Sequence, residues 1–205
     1  MRRVNLAVSV MLMIFASLVS DASSSDRWQP NIPDNAVRDM ESGRNLRRQG
    51  KFKESYARFN RAISVAPEYF LAHYNLGLAY ADANELDKAI DSLETAKSIR
   101  EKFNIKDATI YNSLGYTYLL AGKYENAEKS FFDCKKNESL LSTTSKQKLY
   151  NNMGVLYQFW GKFDKSENAY KTAKEKYESN KAGNNLVSLN NTRKVVEKSR
   201  NSAAK

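Results

Sequence analysis

Four glycines recur along this chain, and everything around them recurs with them. Gly43, Gly77, Gly115 and Gly154 are separated by 34, 38 and 39 residues. Twelve residues after each comes a small residue: Ser55, Ala89, Ala127 and Ser166. Seven residues after each comes Gly50, Asn84, Gly122 or Gly161, and two further on Phe52, Leu86, Tyr124 or Phe163. Leu46, Tyr80, Tyr118 and Tyr157 stand three residues after the glycines, and Phe59, Leu93, Phe131 and Tyr170 sixteen after them. Ala62, Ala96, Cys134 and Ala173 stand at nineteen. Spacing within a unit is fixed and only spacing between units varies, which is the signature of a stacked-repeat architecture.

A helical hairpin satisfies these spacings. Each unit accommodates two helices of about four turns and a short connecting turn. The Gly or Asn of that turn suits the left-handed residue that ends the first helix. The small residues let the two helices approach closely, and the large ones are expected to fill the wedge between neighbouring units. Length variation falls around Lys102–Asp107 and Lys136–Lys146, in connections that tolerate it.

The pattern resembles the tetratricopeptide repeat. The small eighth and twentieth positions, the aromatic or Leu at the eleventh, seventeenth and twenty-fourth, and the Ala at the twenty-seventh all match. The proline of the thirty-second position is present only as Pro67, and the family's early Trp is replaced by Asp39, His73, Tyr111 and Tyr150. The resemblance covers roughly Ala36 to Glu178. It implies an all-α fold, a right-handed superhelical array of four helix-turn-helix units at about 36–69, 70–103, 108–141 and 147–180. A last segment, 181–205, places Leu186, Leu189 and Val196 on one helical face and resembles the solvating helix that caps such arrays before a basic tail.

Residues 1–22 read as a secretory signal peptide. A short basic start, Arg2-Arg3, precedes an apolar run from Val4 to Val19, and Ser20-Asp21-Ala22 offers small residues for cleavage after Ala22. The run is short for a membrane span. The expectation is an exported protein, periplasmic in a bacterium and otherwise secreted or in the secretory lumen, with no stable membrane span once cleaved. Residues 23–35 are polar, contain two prolines and read as a flexible linker. Asp34 is a candidate cap for the helix that follows.

The net charge of +10 is not spread evenly. Residues 62–180 are neutral, and the excess divides between 38–61 and 181–205. A nucleic-acid-binding face would run across the body of the fold, so no nucleic-acid partner is expected. One cysteine and one histidine leave no disulfide within the chain and no Cys/His metal site. His73 falls at an inward packing position, and Cys134 replaces a packed alanine. With no phosphate loop and no nucleophile–base signature, no catalytic residue and no cofactor is expected.

In this family the fifth, ninth and twelfth positions of the first helices line a concave groove. The resemblance therefore implies a groove for a protein or peptide partner at Arg44, Arg48, Tyr74, Asn75, Leu78, Asn112, Tyr116, Asn151, Val155 and Gln158. The tyrosines, Leu78 and Val155 would bury apolar side chains. The asparagines would hydrogen-bond an extended backbone, because each amide both donates and accepts. Arg44 and Arg48 would pair with an acidic residue or a terminal carboxylate. The carboxylate clamp of chaperone-binding members is not reproduced. The expected function is that of an exported, non-catalytic scaffold or adaptor. The alternative is recruitment to an anionic polymer or membrane surface through the basic first repeat and C-terminus. Self-association through an end of the array is compatible with both.

Overall fold

The computed structural model describes residues 31–203, and side chains as far as Val195. The expected signal segment, most of the linker and the end of the basic tail lie outside these residues. Among the described residues all regular structure is helical: α1 (Asp34–Arg48), α2 (Phe52–Val65), α3 (Phe70–Asp82), α4 (Leu86–Lys102), α5 (Thr109–Leu120), α6 (Tyr124–Lys136), α7 (Thr143–Phe159), α8 (Phe163–Lys171) and α9 (Asn180–Ala203). The helices fall into two compact units, one ending at Asp107 and the other beginning at Ala108.

In the first unit α1 pairs with α2 and α3 with α4, while α2 packs on α3 and α1 on α3. In the second unit α5 pairs with α6 and α7 with α8, α6 packs on α7, α5 on α7, and α9 closes against α8 and α7. Each hairpin is thus a pair in sequence and a neighbour in space, as the repeat spacing requires.

The four turns share one hydrogen-bond pattern. Gly50 N–H donates to the Arg47 carbonyl at 2.9 Å and Lys51 N–H to that of Leu46 at 3.0 Å. The same pair of bonds recurs at Asn84/Glu85, Gly122/Lys123 and Gly161/Lys162. These bonds close the last turn of the first helix through a residue with φ of 74° at Gly50, 61° at Asn84, 71° at Gly122 and 74° at Gly161.

The glycines at the eighth position are explained by their neighbours. A Cβ on Gly43 would stand 2.6 Å from the Phe59 ring, one on Gly115 2.5 Å from Phe131, and one on Gly154 2.4 Å from Tyr170; on Gly77 it would meet Leu93 at 2.6 Å. The large twenty-fourth residue therefore lies over the glycine of its own hairpin, where the sequence pattern suggested a wedge between units. Ser55, Ala89, Ala127 and Ser166 are fully buried beside this contact. The Ser166 hydroxyl, which would be unsatisfied there, donates to the Gly154 carbonyl at 2.7 Å.

The ends of the helices hold further differences from expectation. Asp34 does not cap α1; it lies in the first turn behind Pro33, and no side chain bonds the cap. Its carboxylate still faces the positive end of the helix dipole. Ser142 does cap α7, accepting from Ser145 N–H at 3.2 Å. A π-helical turn, Thr172–Lys176, follows α8 and widens the chain before Glu178 reverses it at φ 56°. His73 is half-buried, not a full core residue; its Nε2 lies 2.8 Å from the Pro67 carbonyl, and burial pushes its pKa down. Cys134 is fully buried, with Sγ 3.4 Å from the Ala108 carbonyl.

Candidate partner-binding faces

The first helices of the hairpins are α1 and α3 in one unit, and α5 and α7 in the other. Because they pack on each other within each unit, the stripe that carries the fifth, ninth and twelfth positions is only partly open. This corrects the picture of a row of exposed apolar side chains. Leu78 is buried, as is Tyr116, whose phenol is pushed up to about 12 by that burial. Met40 and Arg47 of the same stripe are buried as well.

In the first unit the stripe centres on an ion pair. Arg47 Nε bonds Asp82 Oδ2 at 2.7 Å, and its Nη1 reaches Asn75 Oδ1 at 3.5 Å. Asn75 donates to the Leu71 carbonyl at 2.8 Å. The Asn75 amide is therefore committed to its own fold, and the expectation that it is open to a partner's backbone is corrected. Burial raises the Asp82 carboxyl, against the pull of the Arg47 guanidinium, and Asp82 Oδ1 has no hydrogen-bond partner. Arg44 pairs with Glu41 at 2.8 Å through Nη1, while its Nε has none. Arg48 is exposed at the thirteenth position, and Tyr74 is half-buried with its ring stacked on Phe70 at 5.7 Å.

In the second unit the asparagines bridge helices. Asn152 donates to Asn112 Oδ1 at 3.2 Å, and Asn185 of α9 donates to Asn151 Oδ1 at 3.3 Å. Asn151 in turn donates to the Gln147 carbonyl at 2.9 Å and to Ser179 Oγ at 2.8 Å. Asn112 and Asn151 are thus rungs of an internal ladder. Gln158 accepts from the buried Tyr170 hydroxyl at 3.1 Å. Val155 is half-buried beside Phe159, which is 49% exposed. Val155 and Phe159 are four residues apart and share one face of α7. Leu120 occupies on α5 the register that Phe159 has on α7, and it is half-buried.

Phe159 was not among the residues expected from the sequence. The signal was present, because Phe159 holds the thirteenth position that Arg48 holds in the first repeat. At that position the first unit presents Arg48 and Asp82 and the second Leu120 and Phe159. One face is therefore polar and the other apolar. A second network escaped the sequence reading entirely. Glu138, in the turn before α7, accepts from Tyr150 at 3.0 Å and from Tyr177, with Lys176 at 3.8 Å. Burial acts to raise its pKa, but the two phenol hydrogen bonds and the lysine outweigh it and hold the carboxyl below its usual range.

Tetratricopeptide-repeat family models match residues 40–102, 108–136 and 147–175, more than half of the chain. The chain belongs to the tetratricopeptide-repeat family. A curated relative, the Hsp70-Hsp90 organising protein of Plasmodium falciparum (isolate 3D7), is 28% identical over 92 residues, which are 43% of this chain and 16% of that protein. The chain thus spans about a sixth of that relative's length. Among solved structures, Pseudomonas aeruginosa pilF superposes with a TM-score of 0.68 at 13% identity, over 82% of this chain and 73% of that one. MamA protein gives 0.64 at 18% identity, over 80% and 86%. YrrB, a TPR protein with an unusual peptide-binding site, gives 0.56 at 14% identity, over 78% of each chain. At these identities the structures establish a shared fold.

Tetratricopeptide repeats mark this chain as a protein–protein interaction scaffold. Among the described residues no helix is long and apolar enough to cross a membrane.

Proposed function

We propose that this repeat protein is an exported, non-catalytic adaptor that takes a segment of a partner protein on the first-helix faces of its repeats. The observation that carries the reading is Phe159, an aromatic side chain 49% exposed at the repeat's thirteenth position, with Val155 and Leu120 beside it in register. A half-exposed aromatic of this kind is a usual anchor of a protein interface. In the first unit, taken by itself, the exposed Arg48 supplies a cation for an acidic side chain or a terminal carboxylate of a partner, and Arg44 can join it only by leaving Glu41. Tyr74 offers a half-buried ring on the same face. Export rests on the signal-like pattern of residues 1–22, and the compartment is periplasmic in a bacterial host and secretory elsewhere.

The competing recruitment to an anionic surface is weakened by the ion pairs. Of the first-repeat arginines, Arg47 is paired with Asp82, Arg44 with Glu41, and Arg58 and Arg61 both with Asp39. Arg193 near the C-terminus is paired with Asp164 and Glu167. Four of the eight basic residues of 38–61, and Arg193 of the six in 181–205, therefore already have an acidic neighbour.

The test places a photo-crosslinking amino acid at Phe159 in the full chain expressed in its own host. A parallel sample carries Phe159→Asp and Arg44→Glu without the crosslinker. A partner joined at Phe159, and absent when the double variant is chemically cross-linked, is the expected result. The same catch from both samples overturns the site. Export is checked by the mature N-terminus, expected at Ser23; an intact Met1 in the cytosolic fraction refutes it.

A further inference from the structure

The last helix is more than a cap. Asn185 meets Asn151 just as Asn152 meets Asn112, the sixth position of one repeat bonding the fifth of the repeat before. This register makes Asn180, the first residue of α9, the first position of a fifth repeat. Ala182 and Leu189 then fall at the third and tenth positions, and both are fully buried. Lys194 falls where the other four repeats have their turn Gly or Asn, so no turn forms and α9 runs on to 24 residues. α9 is a first helix whose second helix is absent from the described residues.

Val187 falls at the eighth position, where every complete repeat has the glycine that lies beneath its own second helix. Here the side chain is 63% exposed. With Asn184, Ser188, Asn191, Thr192 and Val195 it lines a shallow groove along α9. Lys181 and Lys194 stand on opposite flanks of that groove by helical register, and no acidic residue shares it. Lys181 is held below its ordinary pKa by burial and by the like charge of Lys148. Two copies of α9 packed on this face would bring these lysines together, which disfavours a second copy as occupant.

We infer that this face of α9 docks an acidic amphipathic helix of a partner, seated where the second helix of a fifth repeat would lie. The inference does not depend on the site around Phe159. The register also sets what the incoming helix looks like. A ring of the kind that covers the glycines cannot lie over Val187, so the incoming helix presents a small residue there. Lys181 and Lys194 are 13 residues apart, about 20 Å along the axis, and acidic residues at a matching separation complete the pairing.

The test uses the full chain and two synthetic 20-residue helical peptides with one alanine- and leucine-containing seam. One carries glutamates 13 positions apart on its flanks and the other carries lysines there. Fluorescence anisotropy is expected to show saturable binding of the glutamate peptide only. Lys181→Glu with Lys194→Glu should move the preference to the lysine peptide. Val187→Asp should weaken binding at least tenfold while circular dichroism stays unchanged, because the side chain it replaces is largely exposed. Phe159→Asp should leave peptide binding intact, which separates failure here from failure of the adaptor site. No saturable binding, equal binding of both peptides, or indifference to Val187→Asp overturns the inference. A Val187-dependent dimer in sedimentation, or Val187-dependent binding to anionic phosphatidylglycerol vesicles in preference to the peptide, overturns it in favour of those occupants.

Discussion

One substitution, glycine to alanine, should have opposite signs at Gly154 and Gly183. At Gly154 the new methyl would lie 2.4 Å from Tyr170 Cε1, 2.5 Å from Cδ1 and 2.7 Å from Cζ. Comfortable carbon–carbon contact begins near 3.5 Å, so the ring must retreat by about 1 Å. It has nowhere to go, since Tyr170 is buried on all sides and its hydroxyl bonds Gln158 at 3.1 Å. Overpacking of this kind costs about 1–3 kcal/mol, and the contact places Gly154→Ala near the upper end. Replacing glycine in a helix returns up to about 1 kcal/mol, leaving a net loss of about 2 kcal/mol. For a chain of this size that lowers the melting temperature by roughly 4–8 °C. At Gly183 the nearest atoms are the Lys174 side chain at 3.9 Å, and φ is not positive. Only the propensity gain remains there, and Gly183→Ala should stabilise by up to about 1 kcal/mol. Thermal and urea unfolding of both variants, followed by circular dichroism, decides the matter. A Gly154→Ala protein as stable as the parent would refute the account of why the repeat demands glycine.

Asp82→Ala should destabilise the first unit by about 3 kcal/mol, because it leaves the Arg47 guanidinium buried without its carboxylate; the measurement is urea unfolding beside Asp82→Asn, which keeps the volume. Glu138 is held below its usual range in the folded chain, so its contribution is present above the unfolded carboxylate pKa and is lost as pH falls through the lower folded value. Glu138→Gln should therefore flatten the acid limb of the stability-versus-pH curve below about pH 4.3, and an unchanged limb would refute the network. Cys134 should resist alkylation in the native chain and react once the second unit opens, and labelling at the rate of an exposed thiol would contradict its burial.

The repeat register was readable because its constraints are steric and strict. A glycine under a ring, a small residue opposite it and a left-handed turn residue each admit few amino acids, so Gly43, Ser55 and Gly50 announce themselves. The openness of the stripe was not readable. Leu78 and Phe159 look alike in sequence, yet one is buried and the other half-exposed, because burial is decided by how closely neighbouring helices pack. The asparagines misled for a related reason: an amide that suits a partner's backbone suits an adjacent asparagine equally well, and Asn112 and Asn151 took the nearer option. The network around Glu138 was missed because no one residue type is kept through the repeats at its positions: Tyr177 lies 39 residues on, at the matching position of the next repeat, where the first two units have Ala66 and Arg100, and Tyr150 lies 12 residues on, where they have Asp39 and His73.

The amide rungs give the second unit a direction in which it comes apart. Asn185 holds Asn151 on α7, and Asn152 of α7 holds Asn112 on α5. Fraying that begins at α9 strands a buried amide at each step, Asn151 and then Asn112, so the helices should let go in order from the C-terminal end, like a zipper with two teeth. Any partner that clamps the last helix therefore stiffens α7 and α5 without touching them, and hydrogen exchange in those helices would register its arrival.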